Sequence, residues 1–332
     1  MPTYHRRRHQ VVHALISFAR LTRTVSWSRA CGAFLIAGTF AASCPSARES
    51  STTVANDRRQ IDFSELLAPP VPTAGEHIAY GVEPLQFGEL RLPKGSGPFP
   101  VAVIIHGGCW LKQYDLKHAA REAEALTKLG IATWTIEYRR ADDFGGGWPG
   151  TFEDAAHGTD YLTQLAARYK LDTRRVVLVG HSAGGQLALW LAARAHHVAA
   201  APNPDSKPIH VRGVVSLAGI TDMRTFGARS GRCSGAVATL VGGSPESQGA
   251  RYDAVSPAAL LPIGVPIRLV HGTADHSVPV EQTETFTALA RAAGDDVQSS
   301  IVPDAGHFDV LEPGTVAWPA VTRAVRAALG MR

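Results

Sequence analysis

Six consecutive residues, Gly180-His181-Ser182-Ala183-Gly184-Gly185, place a serine between glycines two positions away on either side. A serine held in a strained backbone conformation at a sharp turn tolerates only such small neighbours, because a side chain there would strike the turn. The apolar run Val176 to Val179 precedes the six residues and a helical stretch from Gln186 to Arg194 follows them. Strand, sharp turn and helix is the context that lifts a serine hydroxyl clear of a sheet edge. An alcohol is a poor nucleophile at neutral pH, so it attacks a carbonyl only with a base to take its proton and a third group to hold that base in one tautomer. A plain glycine-rich turn with an incidental serine fits the same spacing, and the partners decide between the two.

The chain has 14 histidines, and His307, in Asp304-Ala305-Gly306-His307-Phe308, lies in the loop after the last apolar run, where a base is wanted. His271, at a strand end, and His181, beside the serine, read as structural. The candidate acid is Asp275, in His271-Gly272-Thr273-Ala274-Asp275; its rival is Asp222, after the preceding strand, while Asp304 and Asp309 read as solvated. Charge that develops on a carbonyl oxygen needs preorganised N–H donors. One is the backbone of Ala183, at a helix start where N–H groups are free and the dipole favours an anion. The other comes from His106-Gly107-Gly108-Cys109-Trp110, directly after Val101 to Ile105, with Gly107 letting the backbone approach and Gly108 or Cys109 as donor. Cys109 is itself a thiol, but it follows a strand without occupying a sharp turn and reads as a packing or rim residue. Trp110, Phe144 and Trp148 sit in loops of the same edge and are candidate substrate contacts, although aromatics are more often core.

These groups need a sheet to align them. Continuous apolar runs at Val101 to Ile105, Ile131 to Glu137, Arg175 to Val179, Val211 to Leu217, Ile267 to Val270 and Val297 to Val302 alternate with helical stretches at Leu116 to Leu129, Thr151 to Tyr169, Gln186 to Ala195, Val280 to Ala293 and within Ala317 to Leu329. That alternation predicts an α/β fold with a doubly wound, mostly parallel sheet and helices on both faces. His77 to Tyr80 and Gln86 to Leu92 predict an antiparallel edge hairpin, and Asp222 to Pro262 an irregular insertion. Ligands in such folds bind at the carboxyl ends of the strands, where all the residues above lie.

At 332 residues, 45% hydrophobic and 19% charged, the chain is long enough for one such domain plus an extension. The net charge is +4, but six arginines precede Cys44 with no acid among them, and without those six the remainder carries −2. Basicity therefore belongs to the N-terminal segment, and no nucleic-acid surface is inferred. Residues 1–44 combine a basic flank, the apolar run Ala30 to Ala42 and the small residues Ala41-Ala42-Ser43 before Cys44, which reads as an export signal. The run is short for a membrane span. The Ala-Ala-Ser-Cys order resembles a bacterial lipobox, with Ala41 departing from its usual Leu, Val or Ile, so lipidation at Cys44 and ordinary cleavage nearby both stay open, as does a start downstream of Met1. The expected location is periplasmic, membrane-anchored or secreted. Residues 45–75 are Ser/Thr-rich and then Pro-rich and read as a tether, within which Ile61 to Leu67 is expected to form a short docking helix; the domain proper spans 76–332. Cys109 and Cys233 are the two cysteines of the body, and their separation says nothing of whether they pair.

Taken together, His106-Gly107-Gly108-x-Trp110, Tyr138-Arg139, Trp148-Pro149 ahead of a helix with Asp154, the Gly180 to Gly185 run, His271-Gly272-Thr273-x-Asp275 with Val278-Pro279, and Gly306-His307 resemble the α/β-hydrolase superfamily. Within it they are similar to the esterase/lipase group of hormone-sensitive-lipase-like and feruloyl esterases and kynurenine formamidase. The resemblance runs from about His77 to the C-terminus. It implies the order serine, acid, histidine, which favours Asp275 over Asp222, and a short insertion in place of a large lid. Cys109 departs from the formamidase branch, which usually has an aromatic there, and from the lipase branch, which often has a third glycine.

The expected function is a serine carboxylesterase acting on small or aryl esters through an acyl-enzyme on Ser182, with no metal or organic cofactor. An amide hydrolase with the same triad is the alternative among enzymes, and a binding protein on a silent hydrolase fold the alternative outside them. The substrate's identity, and the oligomeric state, stay open.

Overall fold

The computed structural model describes residues 60–197 and 207–331. The leader 1–44 with its apolar run, and the first part of the tether, lie outside the described residues. In chain order the elements are α1 (Phe63–Leu66), β1 (Glu76–Ala79), β2 (Phe87–Arg91), β3 (Phe99–Ile105), α2 (Ala120–Lys128), β4 (Ala132–Ile136), α3 (Gly150–Asp160), α4 (Leu162–Tyr169), β5 (Leu171–His181) and α5 (Ala183–Ala193). There follow β6 (Gly213–Leu217), α6 (Met223–Gly227), α7 (Arg232–Val241), α8 (Gly249–Val255), β7 (Ile267–Gly272), α9 (Glu281–Ala292), β8 (Val297–Val302) and α10 (Trp318–Leu329). A turn of 3-10 helix, Leu116–Ala119, leads into α2.

The eight strands form one sheet in the order β1-β2-β4-β3-β5-β6-β7-β8. β1 and β2 pair antiparallel, as does β2 with β4, and the strands from β4 to β8 run parallel. Every residue of β4, β6 and β7 is buried, as expected where helices cover both faces and leave no polar side to the strand. Two apolar clusters fill the two faces. One packs Trp134, Phe152 and Trp190 under α3 and α5, and the other packs Ile104, Val179 and Val270 under α2 and α10.

Two expectations are corrected. The single helix over Thr151 to Tyr169 is two helices, α3 and α4, meeting at Tyr161. The insertion expected to be irregular folds into α6, α7 and α8. It does so with ordinary helix-end chemistry: Asp222 caps α6 by accepting from Arg224 N–H at 2.9 Å, and Gly242 ends α7 in the left-handed conformation. The short helix expected between Ile61 and Leu67 is α1, whose Leu66 is buried against the α2 and α10 side of the sheet.

Candidate active site

Ser182 stands between β5 and α5 with φ 54° and ψ −117°, a strained conformation for a residue with a side chain. The turn leaves no room beside it. A Cβ on Gly180 would lie 2.0 Å from the Gly184 carbonyl oxygen, and one on Gly184 would lie 2.1 Å from the Ile105 oxygen. The two glycines are thus required by sterics. The Ser182 N–H donates to Leu217 O at 2.9 Å, which ties the turn to β6, and its hydroxyl makes no hydrogen bond with a described residue.

His307, in the loop after β8, donates Nδ1–H to Asp275 Oδ2 at 2.6 Å. The second ring nitrogen is thereby left as the basic one. Asp275, in the loop after β7, has a fully buried side chain with four donors. Ser277 and Val278 N–H reach Oδ1 at 2.8 and 2.9 Å, and His271 Nε2 and His307 Nδ1 reach Oδ2 at 3.1 and 2.6 Å. Burial pushes the carboxyl pKa up, but the hydrogen bonds from His271 and His307 outweigh it and hold the group well below the usual carboxylate range. His271 is itself fixed, since its Nε2 also faces Val278 O at 3.0 Å and its Nδ1 accepts from the Thr283 hydroxyl at 2.7 Å. The rival acid, Asp222, is occupied as the cap of α6.

His181 bridges the serine turn to the base. Its Nε2–H donates to the His307 carbonyl at 2.9 Å, so its Nδ1 accepts from His118 Nε2–H at 2.9 Å. Burial, reinforced by the neighbouring imidazoles, pushes both His118 and His181 well below the ordinary histidine range. Both are therefore neutral near pH 7. His118 carried no signal in the sequence beyond its position at a helix start.

The loop after β3 is held rigidly. His106 Nε2 meets Glu137 Oε1 at 3.0 Å, Arg140 reaches the same oxygen at 2.7 Å, and Tyr138 donates its hydroxyl to the His106 carbonyl at 2.8 Å. Gly108, Cys109 and Trp110 follow with φ of 106°, 56° and 54°, three successive residues in the left-handed half of the map. Among the described residues no turn, loop or side-chain hydrogen bond uses the N–H of Gly108, Cys109 or Ala183. Gly107 abuts the serine turn, for a Cβ on it would meet the His181 carbonyl oxygen at 2.8 Å.

Cys109 is disulfide-bonded to Cys233 at the start of α7, across 124 residues and with Cα atoms 4.8 Å apart. The thiol is neither free nor a simple packing group; it ties the loop after β3 to the insertion. Arg232 adds a second tie, donating to Gln113 Oε1 at 2.8 Å.

The aromatic candidates separate three ways. Trp110 is fully buried in the core and packs there, so it is not a substrate contact. Phe144 is fully exposed among the described residues. Trp148 is half-buried, with Phe152 5.7 Å away and Arg251 over its ring at 5.9 Å, at the border of α3 and the insertion. Asp309, expected to be solvated, is buried and accepts from Ile61 and Gly306 N–H at 2.9 and 2.6 Å. Among the described residues no cluster of histidine, cysteine or carboxylate could hold a metal ion.

The chain is 25% identical over 245 residues to the probable isoprenylcysteine alpha-carbonyl methylesterase of Oryza sativa subsp. japonica, covering 70% of this chain and 58% of that protein. It is 26% identical over 266 residues to esterase LipC of Mycobacterium tuberculosis, covering 74% and 64%. It thus spans about three fifths of the length of these relatives. Among solved structures, esterase B of Lactobacillus rhamnosis superposes with a TM-score of 0.67 at 18% identity, over 81% of this chain and 90% of that one. A carbohydrate esterase from gut microbiota superposes equally well, at 0.67 and 22% identity, over 79% and 99%. The fold is accordingly that of the α/β-hydrolase esterases. The BD-FAE family model matches residues 89–289, a stretch that holds the loop after β3, the Ser182 turn and Asp275. With that match across more than half of its length, the chain belongs to the BD-FAE family.

Proposed function

We propose that this protein is a serine carboxylesterase acting on small-molecule esters. The observation that carries the reading is the buried Asp275–His307 pair at the strand edge where Ser182 stands in its strained turn. His307 Nε2 takes the proton of the Ser182 hydroxyl as the oxygen attacks the ester carbonyl. Negative charge then develops on the carbonyl oxygen, and the unengaged N–H of Ala183, with that of Gly108 or Cys109, receives it. Collapse expels the alcohol, which takes its proton from His307; water, deprotonated by His307, then releases the acid from the acyl-serine. Asp275 keeps the imidazole in the needed tautomer throughout and stabilises its protonated form. The relatives are named as esterases, which supports an ester over an amide as substrate.

A fluorophosphonate probe with a panel of aryl, acetyl-sugar and feruloyl esters and aryl formamides tests the assignment. Wild type should label and cleave an ester best, and Ser182→Ala should lose both labelling and at least about 10³-fold in kcat. Labelling that survives the substitution points to another nucleophile, and a clear preference for the formamide overturns the ester.

We further propose that the enzyme is exported. The leader read in residues 1–44 supports this, and a disulfide in the body suits an oxidising compartment. Mass spectrometry of the mature N-terminus is the check: lipidated Cys44 indicates a membrane-anchored form and a start just beyond Ala42 a cleaved one. A retained leader contradicts export.

A further inference from the structure

The oxyanion loop follows β3 and the His307 loop follows β8, and three strands, β5, β6 and β7, stand between them in the sheet. No ladder hydrogen bond therefore ties one loop to the other. Beside the His118–His181–His307 contacts, the segment from Gln60 to Ala68, which has the composition of a tether's end, connects the two loops.

At its start, Ile61 N–H donates to Asp309 Oδ1 at 2.9 Å, and the other oxygen of the same buried carboxylate accepts from Gly306 N–H at 2.6 Å, one residue before His307. Gln60 lies so close to that backbone that a Cβ on Gly306 would sit 3.0 Å from its own Cβ. In its middle, the Phe63 ring stands 5.0 Å from Tyr114, 5.4 Å from His118 and 5.7 Å from Phe308, centroid to centroid. Tyr114 backs the oxyanion loop directly, since a Cβ on Gly108 would fall 2.3 Å from the Tyr114 Cβ. His118 leads through His181 to the serine turn, and Phe308 adjoins His307. At its end, Arg121 of α2 donates to the carbonyls of Glu65, Leu66 and Ala68 at 3.3, 3.0 and 2.6 Å and pairs with Glu312 at 3.2 Å, in the continuation of the His307 loop.

We infer that residues 60–68 are a positioning element of the active site, with Phe63 as its central contact. The segment touches no reacting atom. It works from behind, holding the N–H donors of the oxyanion loop and the imidazole of His307 at a fixed separation through Tyr114, His118 and Asp309. Catalysis is sensitive to displacements of about 1 Å in such groups, whereas affinity for a substrate held by other parts of the site is not. The kinetic part of this inference rests on the esterase reading; the structural part does not.

The test is Phe63→Ala in the full chain, read by ester hydrolysis and by amide hydrogen exchange. The expected result is a fall of about 10- to 100-fold in kcat with KM within about twofold, and faster exchange across residues 106–118 and 304–312 while the β3 to β7 amides keep their protection. Phe63→Tyr, which keeps the ring, should restore both. Unchanged exchange in the two loops overturns the inference, as does faster exchange with an unaltered kcat. If wild type neither labels nor cleaves any ester, the esterase reading fails by itself, and the exchange readout still decides whether the segment fixes the loops. Should Phe63→Ala not fold, Arg121→Gln releases the segment from its other end and carries the same two readouts.

Discussion

Two of the buried carboxylates among the described residues, Asp275 and Glu122, stand in opposite states. Asp275 receives four hydrogen bonds and is held well below the usual carboxylate range although its burial pushes the other way. Glu122 of α2, on the sheet face that carries His118, has no hydrogen-bond partner for either oxygen among the described residues, and burial alone pushes it up to about 8. Burial exacts the same kind of cost from both; the donors decide whether the charge survives. Two of the donors to Asp275 are backbone N–H groups of its own loop and two are imidazoles, of which His271 is fixed in turn by Thr283. Between these two, depth is shared, and the convergent set of donors around Asp275 is what separates them.

The largest expected effect comes from removing the charge that those donors maintain. Asp275→Asn preserves shape but offers an amide where His271 and His307 need an acceptor, and it frees His307 to adopt the wrong tautomer. The expected loss in kcat is about 10³- to 10⁴-fold with an otherwise normal fold, measured by steady-state hydrolysis beside thermal unfolding. Stability adds a second signature. A carboxyl whose folded pKa lies below its unfolded value stabilises the fold above about pH 4 and ceases to do so as the pH falls towards the folded value. The advantage of wild type over Asp275→Asn should accordingly shrink on acidification below about pH 4. A variant with near-normal kcat removes Asp275 from the triad.

The contrast between the two carboxylates also marks how far the sequence could be read. The serine turn was legible because its sterics admit only glycine at two fixed spacings: Gly180 is crowded by Gly184 within the turn and Gly184 by the Ile105 carbonyl at the end of β3, and each leaves a glycine as its trace. The alternation of apolar runs and helices placed Asp275 and His307 in strand-end loops, where the structure has them, but it placed Asp222 in one too, and only the order that the resemblance implies separated the two acids. The Cys109–Cys233 pairing was not legible, for it depends on bringing together residues 124 apart, which no local pattern encodes. Trp110 and Trp148 carry the same apolar surface, and only the packing of β3's loop against the core sends one fully inside and leaves the other at a border. The helices of the insertion did leave signals, the Asp222 cap and the Gly242 stop, but in segments too short for periodicity to show. Glu122 left one too. It falls on the stripe of Ala119, Ala123 and Leu126, spaced as one helix face, and all three are buried. Glu124, two residues on, turns outwards to pair with Lys128 at 2.7 Å.

Glu122 supplies the smaller and complementary test, because its linkage to pH has the opposite sign. With an ordinary value of 4.5 and a folded value of about 8, the unfolded chain releases this proton over a range where the folded chain keeps it. The contribution of Glu122 to stability is thus fully present below about pH 4.5, declines as the pH rises, and has levelled off once the folded group ionises. Glu122→Gln removes the titration and keeps nearly the same shape. A buried amide without partners carries a desolvation cost of its own at every pH, so the informative quantity is the slope and not the offset. Urea midpoints at pH 5, 6.5 and 8 should show the variant gaining on wild type as the pH rises, by on the order of a few kcal/mol over the whole range. The kcat should stay within about twofold, since the neutral Glu122 and a glutamine are both uncharged and of nearly the same shape. A stability difference that does not change with pH means that Glu122 is ionised and paired in the folded protein, and the contrast with Asp275 then collapses.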